Sequence, residues 1–142
     1  MSYLVEDTDP RTVFTFGYRS KHPAELERWT ERLGARVVDI RFEPMSSEQR
    51  WTKSRLRERL GERYLHVKAL GNRHYRSGRI ALVAPRIGAE EVRRRVYDEG
   101  DRAILLCACT SVEHCHRVKA AEWVADQTEG HVTEIETQFS LF

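Results

Sequence analysis

Residues 102–117 read RAILLCACTSVEHCHR, and this stretch decides both the fold and the expected place of the site. It begins as an apolar run typical of a buried strand and passes through a short polar loop into an alanine-rich helical pattern. All three cysteines of the chain, Cys107, Cys109 and Cys115, lie in it. A strand, a polar loop and a helix N-terminus form the edge at which open α/β sheets build their sites. We therefore expect the functional site here.

On both sides of this stretch, strand-like apolar runs alternate with amphipathic helical patterns that end at glycine. The predicted strands are residues 13–18, 36–41, 63–70, 102–109 and 131–136, and the predicted helices are residues 23–33, 53–60, 89–99 and 115–127. This alternation predicts one three-layer α/β domain, with a mostly parallel sheet of about five strands and helices on both faces. The domain spans residues 1–142, residues 1–11 form a polar leader, and the last strand is expected at an edge.

Composition excludes several classes of protein. The chain has 142 residues, of which 40% are hydrophobic and 32% are charged, as in a soluble globular domain with its own core. It has no apolar run near the ~18 residues of a membrane span, and its first residues lack the pattern of a signal peptide. Three clustered cysteines do not resemble the disulfide framework of a secreted protein. We expect a cytoplasmic protein with no membrane partner.

Charge is unevenly distributed, although the net charge is only +2. Residues 50–63 hold six Lys or Arg against two acids, and residues 73–95 hold seven against two. From residue 98 to the end, nine acids face three bases. Such asymmetry permits an anionic partner, either a phosphate-bearing small molecule or a nucleic acid. For the helical runs, a solvated arginine-rich surface is the simpler interpretation.

Several polar residues follow the predicted strands at their carboxyl ends. In a parallel sheet these ends meet at one edge, so we expect the side chains there to lie close together. The residues are Tyr18, Arg19, Asp39, Arg41, Arg73, Cys107, Cys109, Cys115, His116 and Arg117. The edge thus gathers three thiols, one carboxylate and several arginines.

The motifs at this edge resemble those of the DUF488 family of small, mostly bacterial and archaeal proteins. The matching pieces are Thr15-Phe16-Gly17, Asp39-Ile40-Arg41 with Pro44 and Ser46, Leu70-Gly71, and Leu105-Leu106-Cys107 followed by Cys115-His116-Arg117. They span most of the chain in the expected order. Two positions differ: many members have a His-Ser pair where this chain has Tyr18-Arg19, and a Glu where it has Cys109. The family name denotes a domain of unknown function, so the resemblance implies a fold and a site but no reaction.

The first chemistry open to this site is nucleophilic or redox catalysis by cysteine. Cys115 begins a predicted helix beside His116 and Arg117, an environment that lowers the pKa of a thiol. Cys109 is a second candidate, and Asp39 could orient a base or bind a substrate hydroxyl. Neither the C-x5-R pattern of cysteine phosphatases nor a thioredoxin-type C-x-x-C is present. The alternative for Cys107 is a buried structural cysteine.

The second chemistry is metal binding. Cys107, Cys109 and Cys115, together with His116 or His114, would supply three sulfurs and one nitrogen. This donor composition suits zinc, although the spacing is not that of a standard zinc ribbon or finger.

The third possibility is binding of a phosphorylated ligand or nucleic acid without catalysis. Arg117 at a helix N-terminus makes an anion site, and Arg19, Arg41 and Arg73 would supply phosphate contacts. Arg41 and Arg117 could equally pair with acids such as Asp39. The sequence favours an enzyme that acts on a nucleotide or nucleic-acid-like anion through Cys115 or Cys109 with Asp39. A binding module, with or without zinc, is the alternative.

Overall fold

The computed structural model describes residues 8–19, 21–44, 46–74, 79–108 and 116–136. Its strands are β1 (Val13–Gly17), β2 (Ala35–Asp39), β3 (Tyr64–His66), β4 (Arg102–Cys107) and β5 (Val132–Glu134), and its helices are α1 (Pro23–Leu33), α2 (Lys53–Leu60), α3 (Pro85–Val92) and α4 (Arg117–Thr128). The five strands form one parallel sheet in the order β3-β2-β4-β1-β5. The predicted single α/β domain architecture is confirmed, and β5 lies at an edge as expected.

The helices lie in two layers because of this strand order. From β1 the chain moves to β2 and then outward to β3, and it returns through β4 to β5. Right-handed crossovers in opposite directions place their helices on opposite faces of the sheet. Leu26 and Leu56, from α1 and α2, are buried in one core layer, and Val92 and Val124, from α3 and α4, are buried in the other.

The first helix has the bounds that its sequence predicts. Pro23 occupies the first turn, and Gly34 ends the helix in the left-handed conformation at φ 59°. Leu26, Trp29 and Leu33 form its buried face. None of the helices in the described ranges combines the length and the apolar character needed to cross a bilayer.

Two predicted elements differ from the structure by more than two residues at one end or both, and the others differ by two residues or fewer. The prediction of a strand through residue 70 is wrong, because β3 ends at His66 and Lys68–Leu70 forms a 3-10 turn. Val67 and Leu70 are still buried, so the apolar pattern continues after the backbone has left the sheet. The third helix starts at Pro85 rather than at residue 89, and a π-helical turn, Arg93–Tyr97, follows it.

Candidate functional site

The carboxyl ends of the strands meet as expected. Gly17 of β1 is in register with Cys107 of β4, and Asp39 of β2 is in register with Leu106 of β4 and His66 of β3. The ends of the four neighbouring strands therefore lie at nearly the same level. Asp39 and Cys107, which are 68 positions apart in the sequence, end adjacent strands.

Asp39 is held in a closed pair with Arg41. Its Oδ1 accepts from the backbone N–H of Arg41 at 3.1 Å and from Nε at 2.8 Å, and its Oδ2 accepts from Nη2 at 2.6 Å. The Tyr64 hydroxyl also donates to Oδ2, at 2.5 Å. Asp39 is fully buried and Arg41 is 5% exposed. The carboxylate is thus engaged by four donors and held away from solvent.

The other side of the Arg41 guanidinium is also occupied. Its Nη1 donates to the backbone oxygen of Trp51 at 2.7 Å and to the hydroxyl of Tyr18 at 3.3 Å. Its Cζ lies 5.3 Å from the centre of the Tyr18 ring, which stacks on Trp51 at 4.5 Å. Arg41 therefore joins β1, β2 and the segment that precedes α2.

Burial and the charge of Asp39 together set the pKa values of Arg41 and Tyr64. Burial lowers the pKa of the Arg41 guanidinium, but the hydrogen bonds and the charge of Asp39 outweigh it and raise that pKa overall. Burial, reinforced by the charge of Asp39, raises the pKa of the Tyr64 phenol well above its usual range. Tyr64 is therefore a neutral donor, and Arg41 is permanently charged.

Two histidines hold the backbone between Asp39 and the next turn. Nε2 of His116 lies 2.8 Å from the oxygen of Ile40, and Nε2 of His66 lies 2.8 Å from the oxygen of Arg41. A carbonyl only accepts, so each Nε2 carries the hydrogen of its bond. No described residue donates to either Nδ1.

His116 is the more buried of the two, at 7% exposed. Burial lowers its pKa, and the nearby charge of Arg117 lowers it further against the opposing effects of Ile40 and Asp39. The imidazole is therefore neutral at pH 7. A neutral imidazole with a lone pair on Nδ1 has the properties of a general base.

Arg117, the first residue of α4, is paired with an acid that the sequence analysis does not single out. Its Nε and Nη2 donate to the two carboxylate oxygens of Glu134 at 3.0 and 2.9 Å. The Thr15 hydroxyl donates to the same carboxylate. Arg117 is 1% exposed, so it links α4 to β5 and β1 from inside the protein.

Cys107 also contacts Arg117. Its Sγ lies 3.4 Å from Nη1 of Arg117, it is 1% exposed, and it is disulfide-bonded. Cys109, His114 and Cys115 lie outside the described residues, so the roles predicted for them stay predictions. Among the described contacts of Arg117, Nε and Nη2 bond to Glu134 and Nη1 lies against the sulfur of Cys107.

The remaining candidates for anion binding, Arg19 and Arg73, are exposed. Arg73 Nη2 reaches the oxygen of Val83 at 3.4 Å. The structure thus separates the predicted arginines into two kinds. Arg41 and Arg117 are buried and paired with acids, whereas Arg19 and Arg73 extend into solvent at the same edge.

The two described members of the predicted zinc ligand set differ. Cys107 cannot bind zinc while it is disulfide-bonded, whereas His116, with its Nε2–H on the oxygen of Ile40, has the arrangement of a histidine that ligates through Nδ1. Among the described residues, no group of three or more His, Cys, Asp and Glu side chains could hold a metal ion. A zinc site here would require reduction of Cys107.

Three of the residues that build this cluster were missed from sequence, namely Tyr64, His66 and Glu134. Each lies on an edge strand. His66 and Glu134 end β3 and β5, and this position is a signal that could have found them, whereas Tyr64 begins β3 in register with Val37 and carries no such signal. Comparison of the chain with protein-family models, with curated proteins and with solved structures found no match, so the resemblance to the DUF488 family stays a prediction.

Proposed function

We propose that the chain is an enzyme that acts on a nucleotide or nucleic-acid-like anion through cysteine chemistry at the carboxyl edge of the sheet. The observation that carries the proposal is His116, a buried neutral imidazole with its Nε2–H fixed on Ile40 and its Nδ1 lone pair unused by the described residues. It directly follows Cys115 in the chain. The proposed location is the cytoplasm, where reducing conditions keep thiols reactive.

In the proposed mechanism, Nδ1 of His116 takes the proton of the Cys115 or Cys109 thiol, and the thiolate attacks the electrophilic atom of the substrate. The protonated imidazole then returns the proton to the leaving group. Arg19 and Arg73 bind the anionic part of the substrate. Because the oxygens of Asp39 are occupied by Arg41 and Tyr64, we assign Asp39 a positioning role through Arg41.

The test is alkylation of the reduced protein with iodoacetamide from pH 5 to 9, mapped by mass spectrometry. We expect Cys115 or Cys109 to react with a pKa below the ordinary value of about 8.5, and to shift toward that value in His116→Gln. Incubation of reduced protein with a panel of nucleotides should give turnover or a covalent adduct that the corresponding Cys→Ser variant lacks. Trp123→Ala, on the exposed face of α4, is the control. Thiols with ordinary pH profiles and no adduct would refute the proposal.

The alternative is a non-catalytic module for phosphate-bearing ligands or nucleic acid, with or without structural zinc. It is favoured by the internal pairing of Asp39, Arg41 and Arg117, which behave as scaffold in the described contacts. Stoichiometric zinc in protein purified without chelator, with thiols that react only after chelation, would support this alternative over catalysis.

A further inference from the structure

The helix α2 is unusual because nearly all of it faces solvent. Leu56 is its one fully buried side chain, and Ser54, Arg55, Arg57, Glu58 and Arg59 are exposed. Its composition is basic, so its outer surface presents closely spaced positive charges. A surface helix of this kind contributes little to the core, so packing does not explain its charges.

Three of these charges have no acidic partner. The side chains of Lys53, Arg55 and Arg57 make no hydrogen bond or ion pair with any described residue. Arg59, by contrast, pairs with Glu27 at 3.3 Å, and Arg50 pairs with Glu48 at 3.3 Å. The three unpaired cations can therefore bind an external anion without breaking an internal contact.

A groove lies on each side of α2. One has a volume of about 670 Å³ and is lined by Pro44, Thr52, Lys53, Ser54, Arg57 and Glu58. The other has a volume of about 590 Å³ and is lined by His22, Glu27, Arg50, Arg55, Glu58 and Arg59. Each groove contains at least one of the unpaired cations, so the helix stands as a basic ridge between two open channels.

The first turn of α2 adds backbone donors to this ridge. Thr52, at the cap position, donates its hydroxyl to the oxygen of Gln49 at 2.8 Å and caps no backbone N–H of the helix. Lys53 N–H is bonded to the oxygen of Pro44. Leu56 makes the first backbone bond of the helix, to the oxygen of Thr52, so the N–H groups of Ser54 and Arg55 have no acceptor within the helix, and they and the helix dipole favour negative charge at this end.

Charge is also polarised across the sheet. In the layer of α1 and α2, residues 23–33 and 46–63 together carry eight Lys or Arg against six Asp or Glu. In the opposite layer, residues 85–101 and 117–129 together carry six against eight. A polyanion is therefore attracted to the α2 face and repelled from the other face.

Among the described residues, the surface around α2 has no exposed large hydrophobic or aromatic side chain. The exposed large hydrophobic side chains of the described residues are Ile87 and Trp123, and both lie in the opposite layer. A membrane or protein partner would need an apolar anchor beside α2. A single strand would need an exposed aromatic ring for stacking, and Trp51, next to α2, is fully buried. A duplex, which presents its phosphates outward, needs neither.

We propose that α2 and its two flanking grooves form a docking surface for the phosphate backbone of a duplex nucleic acid. The contacts are made by Lys53, Arg55 and Arg57 and are independent of base sequence. The surface adjoins the carboxyl edge, since the segment before α2 is bonded to Arg41 through Trp51. The proposal goes beyond the cysteine chemistry and holds whether or not the thiols react.

The test is fluorescence anisotropy with labelled 20-base-pair DNA and RNA duplexes of two unrelated sequences, at 50 to 200 mM salt. Three phosphate contacts predict a slope of log K against log salt of about −2.7, which is about 40-fold weaker binding across this range. The double variant Arg55→Ala/Arg57→Ala should lower the slope to about −1 and weaken binding at low salt by about 10-fold or more.

The matched control is Arg86→Ala/Arg94→Ala, which removes the same charge from two exposed arginines in the opposite layer. If binding depends on the position of the charges on α2 rather than on net charge, this control should bind the duplex within about twofold of the unmodified protein. Equal weakening by both double variants would overturn the proposal. So would tighter binding of a single strand, displacement by inorganic phosphate at constant ionic strength, or binding of phosphatidylserine vesicles in place of the duplex. Cys115→Ser should bind like the unmodified protein, which separates this result from the fate of the proposed enzyme.

Discussion

Asp39 and Arg41, two residues apart at the end of β2, close on each other so that one carboxylate receives the backbone N–H, Nε and Nη2 of the same arginine. Asp39 ends the strand, and its side chain fixes the first turn that follows. The pair is a backbone clamp as well as an ion pair. Because the pair is buried, removing either residue leaves the charge of the other without a partner or solvent.

We expect Asp39→Asn to destabilise the protein by about 3–5 kcal/mol, since it leaves the buried Arg41 charge without its counter-ion. Urea unfolding at neutral pH measures the effect. Asp101→Asn removes a half-exposed partner of Arg36 and should cost about 1 kcal/mol or less. If Asp39→Asn does not fold, Tyr64→Phe, which deletes one donor to Asp39, should still cost about 1–2 kcal/mol. Losses no larger than that of Asp101→Asn would show that the clamp is not stabilising.

The pair of Arg117 and Glu134 should behave in the same way but more weakly. Glu134→Gln leaves the Arg117 charge buried, but Glu134 itself is 24% exposed and water can partly compensate. We expect a loss of about 2 kcal/mol in the free energy of unfolding, below that of Asp39→Asn. Glu91→Gln, which breaks a surface pair with Arg95 at i,i+4, should cost about 0.5 kcal/mol or less. Similar losses for the two Glu variants would contradict the buried role of Arg117.

Stability should depend on the protonation of His116. Its pKa is lowered by burial in the folded protein, so between that pKa and about 6.5 the unfolded chain binds more protons than the folded one. The free energy of unfolding therefore rises with pH through this window, by at most about 1.4 kcal/mol per unit from this one group, and falls as the solution is made acidic.

Chemical denaturation between pH 5 and 8 measures this dependence. His116→Gln keeps a donor for Ile40 and removes the titration, so it should flatten the curve. His131→Gln, at an imidazole whose side chain is 56% exposed, is the matched histidine control. A curve that keeps its full slope in His116→Gln would mean that another group causes it.

Gly71 should tolerate no side chain, because backbone atoms surround it. A Cβ at this position would lie 2.8 Å from Cα of Phe42 and 3.0 Å from the oxygen of Lys68. Gly71→Ala must shift the turn that follows Arg41, at a cost of about 1–3 kcal/mol. Gly34→Ala meets open space and costs about 1 kcal/mol through its left-handed backbone alone.

The two glycine variants differ further in the near-ultraviolet circular dichroism of the Tyr18–Trp51 stack. Gly71→Ala should change this signal, because the displaced turn carries Arg41. The guanidinium of Arg41 bonds to the Tyr18 hydroxyl and to the backbone oxygen of Trp51. Gly34→Ala should leave it unchanged. Equal spectra for both variants would show that Gly71 does not support the cluster.

Local patterns predicted well those features that depend on neighbouring residues. The bounds of α1 follow from Pro23, the apolar spacing and Gly34, all within one short segment. The convergence of Asp39 with Cys107 follows from the parallel topology, and the pairing of Asp39 with Arg41 is local in sequence. The extent of β3 was not predictable, because Val67 and Leu70 are buried from a turn rather than from a strand.

Contacts that depend on strand order were beyond sequence reasoning. Glu134 reaches Arg117 because β5 lies next to β1, and Tyr64 reaches Asp39 because β3 lies next to β2. No local pattern indicates either adjacency. Nor does any local pattern show that Arg117 is neutralised by Glu134 from within the protein.

The position of β4 between β1 and β2 also governs when the protein can fold during synthesis. The first two strands never touch each other, and each bonds instead to a strand that begins at Arg102. A nascent chain that has left the ribosome only to this point holds the pair β2–β3 but lacks the centre of its sheet. Folding must therefore wait for residues 102–107, and a ribosome-stalled chain that ends before them should be digested by protease along its whole length.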